Sequence, residues 1–210
     1  MQLRILTLER EYGSGGAVIA SELAGRLGWK LWDHALTEEI AKLARVSPAA
    51  AERHDERRDP LLYRLAKVFA RGSNERSITV EDDVVFDAER MVDLLGHVIR
   101  SVADEGRCVI VGRGAAYLLR QRTDAFHVFV YAPRDVKIAR IMTLGKSAAE
   151  AEDLVETVDK ERAAFIQQYF GPSWPVRHLY HMFMNSAAGD EAVVESILQA
   201  MTIHEQYAQR

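Results

Sequence analysis

Between Arg10 and Ala17 the chain reads REYGSGGA, with Gly13, Ser14, Gly15 and Gly16 in a row. Small residues between an apolar stretch and an amphipathic one let backbone N–H groups converge. At the start of a helix they meet the positive end of its dipole, a setting that suits phosphate. Three readings compete. The first is a tight strand-to-helix turn that uses glycine for its backbone angles alone. The second is a dinucleotide loop, G-x-G-x-x-G. Gly13 and Gly15 fit it, Asp33 stands where a ribose-binding carboxylate belongs, and Val18 replaces the third glycine. The third is a phosphate loop, G-x-x-x-x-G-K-[ST]. Gly15 is then the second glycine, while Arg10, Gly16 and Ala17 take the places of the first glycine, the lysine and the hydroxyl. A cation must then replace the lysine, and Arg10 is the nearest candidate.

The elements that would position this loop follow from apolar periodicity. Residues 3–8 read as a short buried strand bounded by charges and glycine. Val18, Ile19, Leu23 and Leu27 recur at helical spacing, and Gly28 ends that helix. Residues 29–33 are a second strand, and helices at 35–46, 61–72 and 80–106 make 34–105 almost wholly helical. Within it, 47–60 is a polar, charged stretch with a proline near each end, read as a solvated helix and turn. Further strands are expected at 107–112, 125–132 and 179–185, with helices from Pro133, over 147–170 and over 190–201. Apolar runs without alternation, separated by helices, predict an α/β fold with a parallel sheet covered on both faces. Ligands in such sheets sit at the carboxyl ends of the strands. The glycine loop, Arg113 and Arg134 all fall there.

Bulk composition narrows the function. The chain has 210 residues, 48% of them hydrophobic and 28% charged, and a net charge of -4. That suits one sizeable domain with an insertion, and it leaves no global basic field for nucleic acid. Early charges at Arg4, Glu9 and Arg10 are unlike a signal peptide, and no apolar run approaches a membrane span. The single cysteine, Cys108, lies in an apolar run, which fits a core position and a reducing cytoplasm better than nucleophilic chemistry.

With the whole chain in view, REYGSGG (10–16), IASELAGRLG, WD ending at Asp33, CVIVGRGAAYLL (108–119), FVYAPRDVKIARI (129–141), DKERAAFIQQYFGPSW (159–174) and NS at Asn185 stand in one order. That order resembles the cytidylate kinase-like family, a nucleoside monophosphate kinase branch of the P-loop NTPases, over nearly the full length. The resemblance implies a helical monophosphate-binding insertion at 34–105 and a lid at about 143–178. It implies transfer of the γ-phosphoryl of ATP to a nucleoside monophosphate, with CMP the expected acceptor. The work is charge neutralisation, for which arginine is the tool.

Residue by residue, the resemblance places Gly13, Ser14, Gly15, Gly16 and Ala17 on the donor phosphates. Arg10, Arg134, Arg140 and Arg162 are the expected catalytic cations. Arg113 is expected to grip the acceptor phosphate, Asp33 to accept from the acceptor nucleoside, and Asp159 to orient Arg162 or meet a base amino group. Trp174 is read as stacking on a base or as packing. Cytidylate kinases carry lysine and threonine where Gly16 and Val18 stand, and an acid where Val111 stands. Magnesium is therefore expected with the nucleotide, without its usual protein ligands. The alternative is a non-catalytic nucleotide-binding regulatory protein that keeps the phosphate grip.

Overall fold

A computed structural model describes residues 2–33, 35–36, 88–171 and 173–207. The helix expected at 61–72 lies outside these residues, as do 37–46 of the helix expected at 35–46, 80–87 of that expected at 80–106, and most of the proposed insertion. Five strands form one sheet: β1 (Ile5–Arg10), β2 (Lys30–Trp32), β3 (Cys108–Val111), β4 (Ala125–Tyr131) and β5 (Met182–Asn185). Their order is β2-β3-β1-β4-β5, and every neighbouring pair is parallel. The helices described are α1 (Gly16–Leu27), α2 (Ala88–Glu105), α3 (Ala115–Leu118), α4 (Arg134–Met142), α5 (Ala148–Tyr169) and α6 (Asp190–Tyr207).

Alternation along the strands builds two cores. Leu6 and Leu8 of β1 join Val109, Val111, Val128 and Val130 against α1 and α6. Ile5 joins Cys108 and Ile110 against α2 and α5, through Val98, Ile99, Phe165 and Ile166. A sheet buried on both faces explains why the strands read as unbroken apolar runs. Each fully buried Leu or Ile adds about 1.5–3 kcal/mol of transfer free energy.

The helix signals act locally. Gly15 caps α1 in the left-handed region at φ 79, a conformation that Cβ-bearing residues resist. Ser147 and Glu150 form a reciprocal capping box at the start of α5. The chain runs from β1 outward to β2 and returns to β3, then crosses β1 to reach β4. The crevice at the carboxyl end of β1 is therefore the switch point of the sheet.

Two boundaries differ from the expectation. The first strand runs two residues past Leu8, and Glu9 and Arg10 are buried within it. Charges read as a strand end are in fact paired into the ladder, Glu9 with Phe129 and Arg10 with Val130. The last strand starts late, because 177–179 form a 3-10 turn before His181 N–H donates to the His127 carbonyl at 2.8 Å.

Candidate active site

Glu9 and Arg10 end the central strand, and alternation sends them to opposite faces. Glu9 Oε1 accepts the N–H of Gly114 at 3.2 Å. Arg10 lays its stem on Gly16, where a Cβ would stand 2.7 Å from Arg10 Cβ. Its guanidinium then crosses Gly112, where a Cβ would lie 3.2 Å from Cζ. It reaches Asp33, with Nη2 3.7 Å from Oδ1. Arg113, just beyond β3, meets the same residue. Its Nη1 donates to the Asp33 carbonyl at 2.6 Å and lies 3.6 Å from Oδ1. From α5, Arg162 Nη1 donates to the Arg10 carbonyl at 2.9 Å and lies 3.3 Å from Asp159 Oδ1.

Three guanidinium groups thus converge with three carboxylates, those of Glu9, Asp33 and Asp159, beside the ends of β1, β2 and β3. Burial pulls Arg113 and Arg162 each down to about 10, and repulsion from Arg10 adds to it. Burial pushes Glu9 above the usual carboxylate range, against the pull of Arg10 and Arg162. A buried group of like charges that disfavour one another is relieved by a multiply charged anion between them.

The glycine loop is braced from three sides. Ser14 is fully buried, and its Oγ donates to the Glu11 carbonyl at 2.8 Å. Ser186 Oγ donates to the Ser14 carbonyl at 2.6 Å. Asp159 Oδ1 accepts the N–H of Tyr12 at 2.8 Å. Lys137 Nζ donates to Glu11 Oε2 at 2.8 Å and to Asp159 Oδ2 at 3.4 Å. Helix α4 rests on the loop tip, where a Cβ at Gly13 would stand 2.9 Å from Ile141 Cδ1. Arg140 crosses Gly15, where a Cβ would lie 2.6 Å from Cζ. It pairs bidentately with Asp190 at 2.8 and 2.9 Å. The helix start at Gly15 has no side-chain cap.

The structure therefore brings Arg10, Asp33, Arg113, Asp159 and Arg162 together, with Gly13–Gly16 beside them. Arg140 joins the loop edge through Asp190. Ala17 sits exposed in the first turn of α1. Arg134 is not brought in. It lies on the outer surface of α4, 3.7 Å from Glu152 and 3.4 Å from Glu156. Trp174 packs edge-on against Phe129 with ring centroids 5.4 Å apart.

Sequence reasoning missed Glu9, Glu11, Lys137, Ser186 and Asp190. Lys137 stands three residues from both Arg134 and Arg140, a spacing that puts it near them on one helical face and could have flagged it. Ser186 follows the singled-out Asn185. Nothing in the sequence distinguishes Asp190 from other helix-starting acids.

The sequence profile of the cytidylate kinase-like family matches residues 5–188. The chain belongs to the cytidylate kinase-like family. Membership covers the loop, the arginine cage and α5 together. Several solved structures share the fold. An uncharacterized protein from Eubacterium ventriosum superposes with a TM-score of 0.69 at 20% identity, covering 96% of this chain and 99% of that one. A shikimate kinase from Acinetobacter baumannii, in complex with shikimate, gives 0.52 at 16% identity, covering 95% and 93%. The shikimate kinase from Aquifex aeolicus gives 0.51 at 16%, covering 94% and 96%. A comparison with curated proteins finds no match. The architecture is that of the small P-loop kinases, and the family is kinase-like. Among the described residues no helix is long and apolar enough to cross a membrane.

A protein-held magnesium ion does not fit this donor set. Asp33 faces Arg10 and Arg113, Asp159 faces Lys137 and Arg162, and Asp190 faces Arg140. Among the described residues no group of three or more His, Cys, Asp or Glu side chains could hold a metal ion.

Proposed function

We propose that this protein transfers the γ-phosphoryl group of ATP to the phosphate of a nucleoside monophosphate, with CMP the first acceptor to test. The observation that carries the proposal is the convergence of Arg10, Arg113 and Arg162 beside the glycine loop. Arg113 and Arg162, both disfavoured by burial and by Arg10, would be relieved by an acceptor phosphate set beside them. The amides of Gly13–Gly16 at the start of α1 would hold the donor phosphates. Arg113 would hold the acceptor phosphate, and Asp33 would accept from the acceptor nucleoside. Arg10 and Arg162 would face the charge that develops in transfer, and Asp159 would orient Arg162. Arg140 and Arg134 would close from the lid side, Arg134 only after leaving its carboxylate partners. Magnesium would arrive on the nucleotide. The buried thiol of Cys108, pushed up to about 12 by burial, is inert and compatible with a reducing cytoplasm.

A second reading is a non-catalytic nucleotide-binding regulator. It is favoured by Gly16, Ala17 and Val18 where a lysine and a hydroxyl would stand. It is favoured too by the Arg140–Asp190 pair against Gly15. Calorimetry with ATP and CMP, followed by a phosphoryl-transfer assay over all nucleoside monophosphates, separates the two. Transfer to any monophosphate supports the kinase. Binding with no turnover on every acceptor supports the regulator. Turnover unchanged in Arg10→Ala would remove Arg10 from the reaction.

A further inference from the structure

At the opposite end of the sheet from the glycine loop lies a cavity of about 690 Å³. It opens where β4 starts, between the end of α3, the segment 170–179 and the end of α6. Its size is that of sites for small organic ligands. Four histidines and two arginines line it: His127, His178, His181, His204, Arg120 and Arg122. Among the described residues no carboxylate lines it. Tyr117, Phe170, Val176 and Leu179 add apolar surface.

The polar groups are set up as donors. His181 Nδ1 accepts the backbone N–H of His127 at 2.9 Å, so the neutral ring carries its proton on Nε2. The His181 ring is held flat against Phe126, centroids 4.8 Å apart at 16°, and meets His204 edge-on at 5.0 Å. Arg120 Nη1 donates to the Tyr117 carbonyl at 2.7 Å, and that contact offsets no charge. Arg122 is paired with Asp124 at 2.8 Å and also with Asp104. The histidines are not placed as metal ligands, since the described residues contain no metal-holding group. A cation, ring N–H donors and apolar rings lining one cavity suit an anion with a flat apolar body. Phe170 also packs on Gly114, where a Cβ would lie 2.6 Å from its Cε2. The cavity wall and the loop that binds Glu9 therefore share a ring.

We propose that this cavity is a second ligand site, for a small organic anion that carries one carboxylate or phosphate on a flat apolar body. Benzoate and phenyl phosphate are the probes for the two head groups. Benzyl alcohol and benzylamine are the neutral and cationic controls. Histidine ring signals of the full chain are followed by NMR during each titration. The expected result is saturable movement of the His181 and His204 signals with at least one anion, and the stronger of the two identifies the head group. Arg120→Gln and His178→Gln, both at exposed positions, should each weaken that binding about tenfold, the worth of one charged hydrogen bond. The proposal is overturned if neither anion moves these signals, or if benzyl alcohol or benzylamine binds as well as the anions. It is also overturned if both cavity variants bind as the parent does.

Discussion

The guanidinium of Arg162 donates to the backbone carbonyl of Arg10 at 2.9 Å, which ties helix α5 to the end of the central strand. The same nitrogen lies 3.3 Å from Asp159, whose other contacts run to Tyr12 N–H and Lys137. Helix α5, loop and strand are thus joined through one buried side chain. Arg162→Lys keeps the charge, but its shorter stem draws the donor back from both acceptors. It should lose about 1–3 kcal/mol of stability through the unmet Arg10 carbonyl. Turnover should fall by about two orders of magnitude. Thermal denaturation and steady-state kinetics check the two effects, and an unchanged melting temperature would detach Arg162 from this structural role.

Arg113→Ala should weaken monophosphate binding far more than ATP binding. A desolvated, charged hydrogen bond is worth about 1.5–3 kcal/mol, or about 10- to 150-fold in affinity. Equal losses for the two nucleotides, measured by calorimetry, would place Arg113 at the wrong end of the site.

Restoring the missing lysine should fail. A Cβ at Gly16 would stand 2.7 Å from Arg10 Cβ and 2.8 Å from Cγ, the stiff base of that side chain. Gly16→Lys should therefore displace Arg10 and cost about 1–3 kcal/mol by overpacking. A variant as stable as the parent, with a higher rate, would contradict the packing described.

Asp190 puts a negative charge beside the loop, its Oδ1 3.1 Å from where a Cβ of Gly15 would be. Asp190→Asn removes that charge and releases Arg140 from its ion pair. ATP affinity should rise about fivefold, equivalent to about 1 kcal/mol for a partly solvated charge. Weaker ATP binding would show that Asp190 positions Arg140 for the nucleotide instead.

His127 supplies a pH test. Burial lowers it from 6.5 to about 4, with help from His181. Its neighbours are Thr7 at Nδ1 and the ring of His181. The unfolded chain therefore binds the extra proton between pH 6.5 and about 4, and stability must fall as pH drops through that window. The loss should be on the order of 3 kcal/mol and complete below the folded pKa. His127→Gln should flatten the dependence of the urea midpoint on pH in that range. An unchanged slope would assign the loss to other groups.

Much of this protein is legible in the linear chain, because its signals are local. Unalternating runs such as CVIVG predict strands buried on both faces, and Gly28 predicts where α1 stops. REYGSGG and VGRGAAYLL, read together, point to the family, since a phosphate loop and a strand-end arginine must keep these residues adjacent in sequence. The partners of the site are not legible in that way. Arg134 and Arg140 look alike as expected catalytic cations, yet packing of α4 on the loop turns Arg140 across Gly15 and leaves Arg134 outside with Glu152 and Glu156. Glu9 and Arg10 look like solvated ends, yet the ladder with β4 buries both. Lys137 meets Asp159 across 22 residues, and Arg162 meets Arg10 across 152. Such pairings depend on where α4 and α5 pack on the sheet, a sum of many weak contacts that no short window of sequence contains.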